Sequence, residues 1–373
     1  IARQIPQLAM FSDSLASLFD AFQSKTPAVV GVDISSSSVK FVELSRAGKD
    51  AYRLERYAIE PLPKDSVVDG NIVNLEQVAE GLRRGWKRLG SRNRHIALAL
   101  PASMVITKNI IVAANQREEE LELAVEAEAN QYIPFALDEV NLDFQVIGPA
   151  PSSPDEAEVL IAASRKEKVE DRVAAAEMAG LSPLVVDVES YATLAAFELI
   201  APTLLANGRD QNIAIVDIGA HVTHIHVLRN NQFLFSRDQA TGGNQLTHDI
   251  QRAFSLSSEE AEAAKRNQGL PDNYDAEVLQ PFMETLALEV TRALQFFFTS
   301  TSFNQVDQII LAGGCALLPG LDALIAKRAG VATTIANPFA NMTLTGDIQP
   351  RQLLRDAPML LVACGLALRS FES

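Results

Sequence analysis

Val29-Val30-Gly31-Val32-Asp33-Ile34-Ser35-Ser36-Ser37-Ser38-Val39-Lys40-Phe41-Val42-Glu43-Leu44 is an apolar run, an acid, four serines and a second apolar run. Two strands joined by a tight turn fit this order. Four short side chains let successive backbone N–H groups point at one spot, as bound phosphate requires. Asp33 cannot bind phosphate itself, but a carboxylate can hold hydrated Mg²⁺ against one. A serine-rich turn taken alone reads equally as a plain hairpin.

The layout returns 184 positions later, at residues 212–228. There Asn212-Ile213-Ala214-Ile215-Val216-Asp217-Ile218-Gly219-Ala220-His221 leads into an alternating strand through Leu228. An echo at that distance points to two similar subdomains, each offering an acid-bearing hairpin to one ligand. A third piece, Gln308-Ile309-Ile310-Leu311-Ala312-Gly313-Gly314-Cys315, is a strand entering a diglycine turn, followed by a helix. Glycines there let a flat group approach the backbone.

These three elements, in this order, resemble the two phosphate loops and the adenosine loop of the actin-like ATPase superfamily. Val185-Val186-Asp187-Val188-Glu189-Ser190-Tyr191-Ala192 is similar to the family's strand-to-helix link, and residues 357–367 resemble its closing helix. More narrowly, Asp33 to Lys40, Gln131-Tyr132-Ile133-Pro134-Phe135 and Asp187 to Ala192 resemble the PilM family of type IV pilus assembly, in the FtsA-like branch. The resemblance covers roughly residues 26–371. It implies an α/β actin-like ATPase fold: two halves around a nucleotide cleft, with an inserted FtsA-like β-β-α-β-β-α subdomain. The expected segments are an extension with an amphipathic helix (1–25), a first half (26–94), the insertion (95–188) and a connecting helix (189–210). A second half (211–350) and a C-terminal helix returning to the first half (351–373) complete the chain.

Composition sets outer limits. The 373 residues suffice for two or three domains with a substantial core. A net charge of −15 argues against general nucleic-acid binding. It also opposes adhesion to an anionic membrane, except through local basic patches. Cys315 and Cys364 sit in apolar settings and read as buried free thiols of a reducing compartment. The longest apolar stretch, 359–368, is too short to span a bilayer. No signal peptide is evident, although the sequence does not begin with Met. The expected location is cytoplasmic, peripheral at the inner membrane through partners.

Phe11, Leu15, Leu18, Phe19 and Phe22 form one helical stripe, flanked by Asp13 and Asp20. That polar face is wrong for a membrane, so docking on the protein or on a partner is expected. Residues 28–62 read as three strands, the third at 51–59, and Leu75–Leu89 as an amphipathic helix. Its outer face carries Arg83, Arg84, Lys87 and Arg88, continued by Arg92 and Arg94. This is a solvated face, or a patch for phospholipid heads or an acidic partner.

Strands at 95–100 and 105–113, a helix at 118–130, strands at 141–147 and 157–163 and a helix at 166–179 make up the insertion. Pro134 holds Ile133 out of helical angles. Tyr132, Ile133 and Phe135 either pack the helix end or wall a groove for an extended peptide. By resemblance that peptide is the cytoplasmic N-terminal tail of PilN.

In the second half, Gly242-Gly243-Asn244 opens a helix, suiting backbone contact with phosphate or ribose. Glu262 and Lys265 lie three apart on a capped helix, and a further helix spans 277–300. The pair is a surface ion pair or, by resemblance, holds ribose and the adenine edge. His221, His224 and His226 lack a convincing set of three or four metal ligands, leaving Mg²⁺ as the expected metal.

The resemblance implies ATP with its phosphates on the turns at 35–38 and 219–222, and Mg²⁺ positioned through water by Asp33 and Asp217. Lys40 either neutralises phosphate or is a surface lysine. Glu189 either orients the attacking water or caps the following helix. Ser35 stands where many relatives have glycine, and its Cβ crowds the phosphates. The expectation is nucleotide binding with at most weak hydrolysis, ATP acting as a conformational ligand. The implied function is a scaffold linking PilN to pilus motor ATPases or regulators, with homo-oligomerisation left open. The rivals are a sugar-kinase-like phosphotransferase, for which no sugar-binding signature is present, and an FtsA-like membrane-associated filament protein.

Overall fold

The computed structural model describes residues 28–48, 51–150, 153–267 and 269–371; the amphipathic helix expected at 11–22 lies outside them. Two compact units result. Unit 1 holds the described residues up to Leu44, Glu55–Thr193 and those from Val362 onward; unit 2 holds Ser45–Leu54 and Leu194–Leu361. The short return of Ser45–Leu54 to the second unit has no counterpart in the segments read from the sequence.

In unit 1, β1 (Val30–Ile34) and β2 (Ser38–Arg46) form the antiparallel hairpin of the opening stretch, with Asp33 opposite Lys40. β3 (Tyr52–Pro61) follows, then a two-stranded ribbon of β4 (Val67–Val68) and β5 (Asn71–Ile72). Helix α1 (Leu75–Leu89) starts where Asn74 accepts the Gln77 N–H at 3.0 Å and stops at the left-handed Gly90. β6 (His95–Leu100) pairs in parallel with β1 and with β10 (Ser182–Val188), so the order is β10-β6-β1-β2-β3.

The insertion is narrower than the sequence suggested. β7 (Ile106–Ala113), α2 (Glu118–Tyr132), β8 (Val140–Ala150) and β9 (Ser153–Arg165) form a three-stranded antiparallel sheet, ordered β7-β9-β8, with one helix. All six expected elements exist in the expected order, but the first strand and last helix belong elsewhere. Five of the six β6 residues are buried, as befits a central parallel strand covered on both faces. β7 instead alternates, with Ile110 and Val112 buried between exposed neighbours, the pattern of a sheet with one wet face. The sixth element, α3 (Lys166–Met178), packs Ala175 and Ala176 into the core shared by β1, β6 and α1.

The other face of the sheet around β6 and β1 is covered by α4 (Glu189–Ile200) and by the helix near the C-terminus, through Ala192, Val362 and Leu366. The unit boundary falls within α4, between Thr193 and Leu194.

In unit 2, β11 (Ile213–Ile218), β12 (Thr223–Arg229) and β13 (Gln232–Gln239) are antiparallel neighbours. Helices α5 (Gly243–Phe254), α6 (Ser258–Asn267) and α7 (Gln280–Ser300) come next. The first turn expected of the long helix, from 277, lies instead in a π-helical turn, Asp275–Leu279. β14 (Gln308–Ala312), α8 (Leu321–Ala329) and β15 (Ala332–Ile335) complete a sheet ordered β13-β12-β11-β14-β15. Its core joins Val216, Ile218, Ile225 and Leu311 to Leu286, Val290, Leu294 and Phe297 of α7. β16 (Thr343–Leu344) pairs in parallel with Arg53 and Leu54, the piece of β3 that belongs to this unit. α9 (Pro350–Asp356) and α10 (Leu361–Leu368) close the chain.

Gly31 explains how α10 seats. A Cβ there would overlap the Ala363 carbonyl oxygen and come within 2.5 Å of the Ala367 nitrogen. Only hydrogen fits between strand and helix backbone. Beyond the helix, the Ser370 hydroxyl bonds Val29 and Arg369 pairs with Asp187 at 2.6 Å.

Candidate functional site

The first hairpin turn is held by its own serines. The Ser35 N–H and hydroxyl both donate to the Ser38 carbonyl, at 3.0 and 2.9 Å. None of Ser35, Ser36, Ser37 and Ser38 has positive φ, so serine takes this turn without backbone strain. Lys40 is not a surface residue. It is 9% exposed, and its ammonium donates to Asp33 Oδ2 at 2.7 Å and to Ser35 Oγ at 2.9 Å. Cross-strand register places these two side chains together. A divalent ion on Asp33 would therefore meet an ammonium already in place.

Arg172, which the sequence reading passed over, is 1% exposed. Its guanidinium donates to the carbonyls of Ala99 and Gly70, each at 2.8 Å. Burial lowers its pKa; Glu189 most, then Asp33, act in the opposite direction. Glu189, the first residue of α4, is thus an electrostatic neighbour of Arg172. A signal was present in the sequence: Val169, Arg172, Val173 and Ala176 share one helical face, putting an arginine in a core stripe.

In unit 2 the glycines serve backbone contact, but of a different kind from that expected. The N–H groups of Gly243 and Asn244 donate to the carbonyls of Gly219 and Ala220 at 2.9 and 2.8 Å. A Cβ on Gly242 would lie 2.6 Å from both of those oxygens. The diglycine thus clamps the start of α5 to the second hairpin turn, and those two amides are spent on the protein. The Asn244 side chain meets His221 Nε2 at 2.6 Å.

Asp217 lies against the third loop. Gly313 has φ +83°, and a Cβ there would overlap the Ile218 carbonyl and sit 2.5 Å from Asp217 Oδ1. A Cβ on Gly314 meets nothing nearer than Met359 Sδ at 3.9 Å, which leaves room for a flat group. Lys265 Nζ reaches Glu262 Oε2 at 2.6 Å, Thr247 Oγ1 at 2.8 Å and the Gly243 carbonyl at 3.3 Å. The Glu262–Lys265 pair is therefore an ion pair, but one built into the first turns of α5 rather than loose in solvent. Cys315 backs it: its thiol is pushed up to about 11 by burial, with Lys265 acting the other way. That thiol stays protonated and unreactive at neutral pH.

These residues fit a nucleotide with Mg²⁺ in a particular way. Among the described residues no three His, Cys, Asp or Glu side chains converge as a metal site. Mg²⁺ carried by phosphates and water needs no such cage, only one or two carboxylates. Asp217, beside bare Gly313 backbone, offers one; Asp33 is neutralised by Lys40.

The trio near Pro134 divides. Ile133 is 5% exposed and belongs to the insertion core, whereas Tyr132 and Phe135 are 45% and 38% exposed. Lys108 lies over the Tyr132 ring and Arg165 over the Phe135 ring, 5.4 and 5.3 Å from the centroids. The histidines are engaged elsewhere: His224 with Asp238 at 2.7 Å, and buried His226 with Ser236 at 2.8 Å. No described helix is long and apolar enough to cross a membrane.

Known proteins are similar to this chain in sequence or in fold. A solved structure described as a PilM–PilN type IV pilus biogenesis complex is 30% identical and covers 93% of this chain and 100% of that one, with a TM-score of 0.77. The cell division protein FtsA of Enterococcus hirae is 24% identical over 356 residues, 83% of this chain and 78% of FtsA. The ethanolamine utilization protein EutJ of Salmonella typhimurium is 29% identical over 117 residues, 31% of this chain. The chain spans only 38% of the length of that curated relative. The fold is that of the actin-like ATPases, as the three loops implied. The family model for the type IV pilus assembly protein PilM matches residues 31–371, and the chain therefore belongs to the PilM family.

Proposed function

We propose that this chain is a nucleotide-dependent scaffold of type IV pilus assembly that holds the N-terminal tail of PilN. One observation carries the reading: the similar structure covering 93% of this chain is a complex with PilN. The exposed Tyr132 and Phe135, at a bend whose Ile133 is buried, supply apolar contacts of the kind an extended peptide uses. Their flanking cations, Lys108 and Arg165, hold the rings in place.

On the nucleotide side, Glu262, Lys265, Gly313 and Gly314 would hold the adenosine of ATP. The turn at 219–222 would face its phosphates, and Asp217 would position Mg²⁺. Bound Mg²⁺ supplies neutralisation of phosphate charge. Weak hydrolysis is the natural consequence of a first turn whose lysine is committed to Asp33 and whose Ser35 hydroxyl is committed to Ser38. A cytoplasmic place beside the inner membrane follows from this partner.

The test is a titration of a PilN N-terminal peptide against the full chain, with and without ATP and Mg²⁺. Binding that weakens by about tenfold or more in Tyr132→Ala or Phe135→Ala supports the groove. No binding in any nucleotide state sinks the scaffold reading. Separately, Asp217→Ala is expected to abolish Mg²⁺-dependent ATP affinity at an unchanged melting temperature; unchanged affinity would remove Asp217 from the site.

A further inference from the structure

The outer face of α1 and the loop after it carry a charge pattern that the scaffold function does not use. Residues 83–94 hold Arg83, Arg84, Lys87, Arg88, Arg92 and Arg94 with no acid among them. The remainder of the chain, at −21, turns these six positive charges into a net −15. The cations are thus concentrated on one element of an otherwise strongly acidic protein.

Structural roles account for part of the cluster. Arg84 and Arg88 grip the buried Glu60 carboxylate at 2.8 and 3.1 Å, and Arg83 pairs with Glu80. Arg83 and Arg94 also donate to the carbonyls of Met178 and Gly180, at the C-terminal end of α3. A carbonyl orients a guanidinium without cancelling its charge. Lys87 and Arg92 are exposed and make no ion pair among the described residues. Ion pairs set two carboxylates, Glu60 and Glu80, against these six cations, while Glu43 beside Ser91 is paired with Arg56, so residues 83–94 keep a surplus of about four charges.

Helix stability does not require this surplus. Arg83 with Lys87, and Arg84 with Arg88, are like charges at i, i+4, which oppose the helix. The helix dipole compensates only in the last turn, at Lys87 and Arg88. The exposed Met178, whose carbonyl receives Arg83, adds an apolar side chain at the rim of the patch.

We propose that this face docks unit 1 directly on an anionic phospholipid surface. Arg84 and Arg88 are drawn together by Glu60, whereas Lys87 and Arg92 extend on long stems from the helix and its following loop and make no ion pair among the described residues. A layer of mobile headgroups can satisfy such an array without a fixed partner, and guanidinium groups fork onto phosphate. An acidic peptide would instead require side chains converging on one path.

The full chain is tested by co-sedimentation with phosphatidylcholine vesicles and with vesicles containing about one-third phosphatidylglycerol. Binding is expected only to the anionic vesicles, and to vanish as ionic strength rises from about 0.1 to about 1 M, where screening shortens from ~10 to ~3 Å. Each cation near the surface contributes about fivefold in partitioning, so Lys87→Gln with Arg92→Gln should weaken it by roughly 25-fold. Lys87→Arg with Arg92→Lys should bind as the parent does. Both residues are exposed and make no ion pair among the described residues, so both variants should melt normally.

Equal binding by the Gln variant overturns the proposal, as does indifference to phosphatidylglycerol. Binding of a poly-glutamate peptide that is lost in the Gln variant, without vesicle binding, would assign the patch to an acidic protein partner instead. The readout is independent of PilN and of ATP, so its failure and that of the scaffold reading are distinguishable.

Discussion

Replacing Lys40 by Met leaves Asp33 as a carboxylate, 6% exposed, with its nearest cation gone. The ammonium and Oδ2 are 2.7 Å apart, with side chains 11% and 8% exposed. At an effective dielectric near 20 such a contact is worth ~6 kcal/mol of attraction, most of it offset by taking both charges out of water. The intact pair therefore contributes little net stability. Removing one member costs about 3–5 kcal/mol, because the remaining charge keeps its burial without its partner. Lys40 also anchors Ser35 Oγ at 2.9 Å, so the turn loosens with it. In a unit of this size each kcal/mol lowers the melting temperature by ~2–4 °C, so Lys40→Met should melt roughly 6–20 °C lower. Adding Asp33→Asn to that variant should restore most of the loss. The assay is thermal and urea unfolding of the parent, both single variants and the double variant, analysed as a cycle. A Lys40→Met cost below about 1 kcal/mol, or no recovery in the double variant, would refute a buried, mutually dependent pair.

Two further perturbations follow from the packing. Gly31→Ala puts a methyl group into the Ala363 carbonyl, and should cost about 1–3 kcal/mol or more as α10 shifts off the sheet; a melting temperature within a degree of the parent would contradict the close approach. His226 is depressed to about 4 from an ordinary 6.5 by burial, with its imidazole neutral beside Ser236. The unfolded chain takes up that proton first, so stability is full above pH 6.5 and declines as pH falls toward 4. The loss reaches ~3 kcal/mol, and His226→Gln should flatten that part of the curve; a parent curve equally flat from pH 7 to 4 would exclude it.

Local pattern made much of the molecule legible. The helix at Leu75–Leu89 follows from its stripe, from Asn74 before it and from Gly90 after it, all within reach of one another along the chain. The acid-turn-strand hairpins at Asp33 and Asp217 were readable because antiparallel strands joined by short turns pair with their sequence neighbours. Parallel pairing is not local, and there the reading strayed. His95–Leu100 looked like the first strand of an insertion until β1 and β10, 66 and 87–88 residues away in register, proved to flank it. Site residues divided in the same way: the sequence placed Glu262 beside Lys265 and Arg172 within a core stripe, but could not show that Lys40 would be buried.

The sequence by itself determined the kinds of element, their order and the three loops that carry the family resemblance, since periodicity, turn chemistry and glycine placement act within a few residues. Only the tertiary structure decided what those groups do. It spent the amides of Gly243 and Asn244 on carbonyls from the turn at 219–220, gave Lys40 to Asp33, and divided Ile133 from Tyr132 and Phe135. Burial and hydrogen-bond saturation depend on what other segments bring to a side chain, and no local window contains that information.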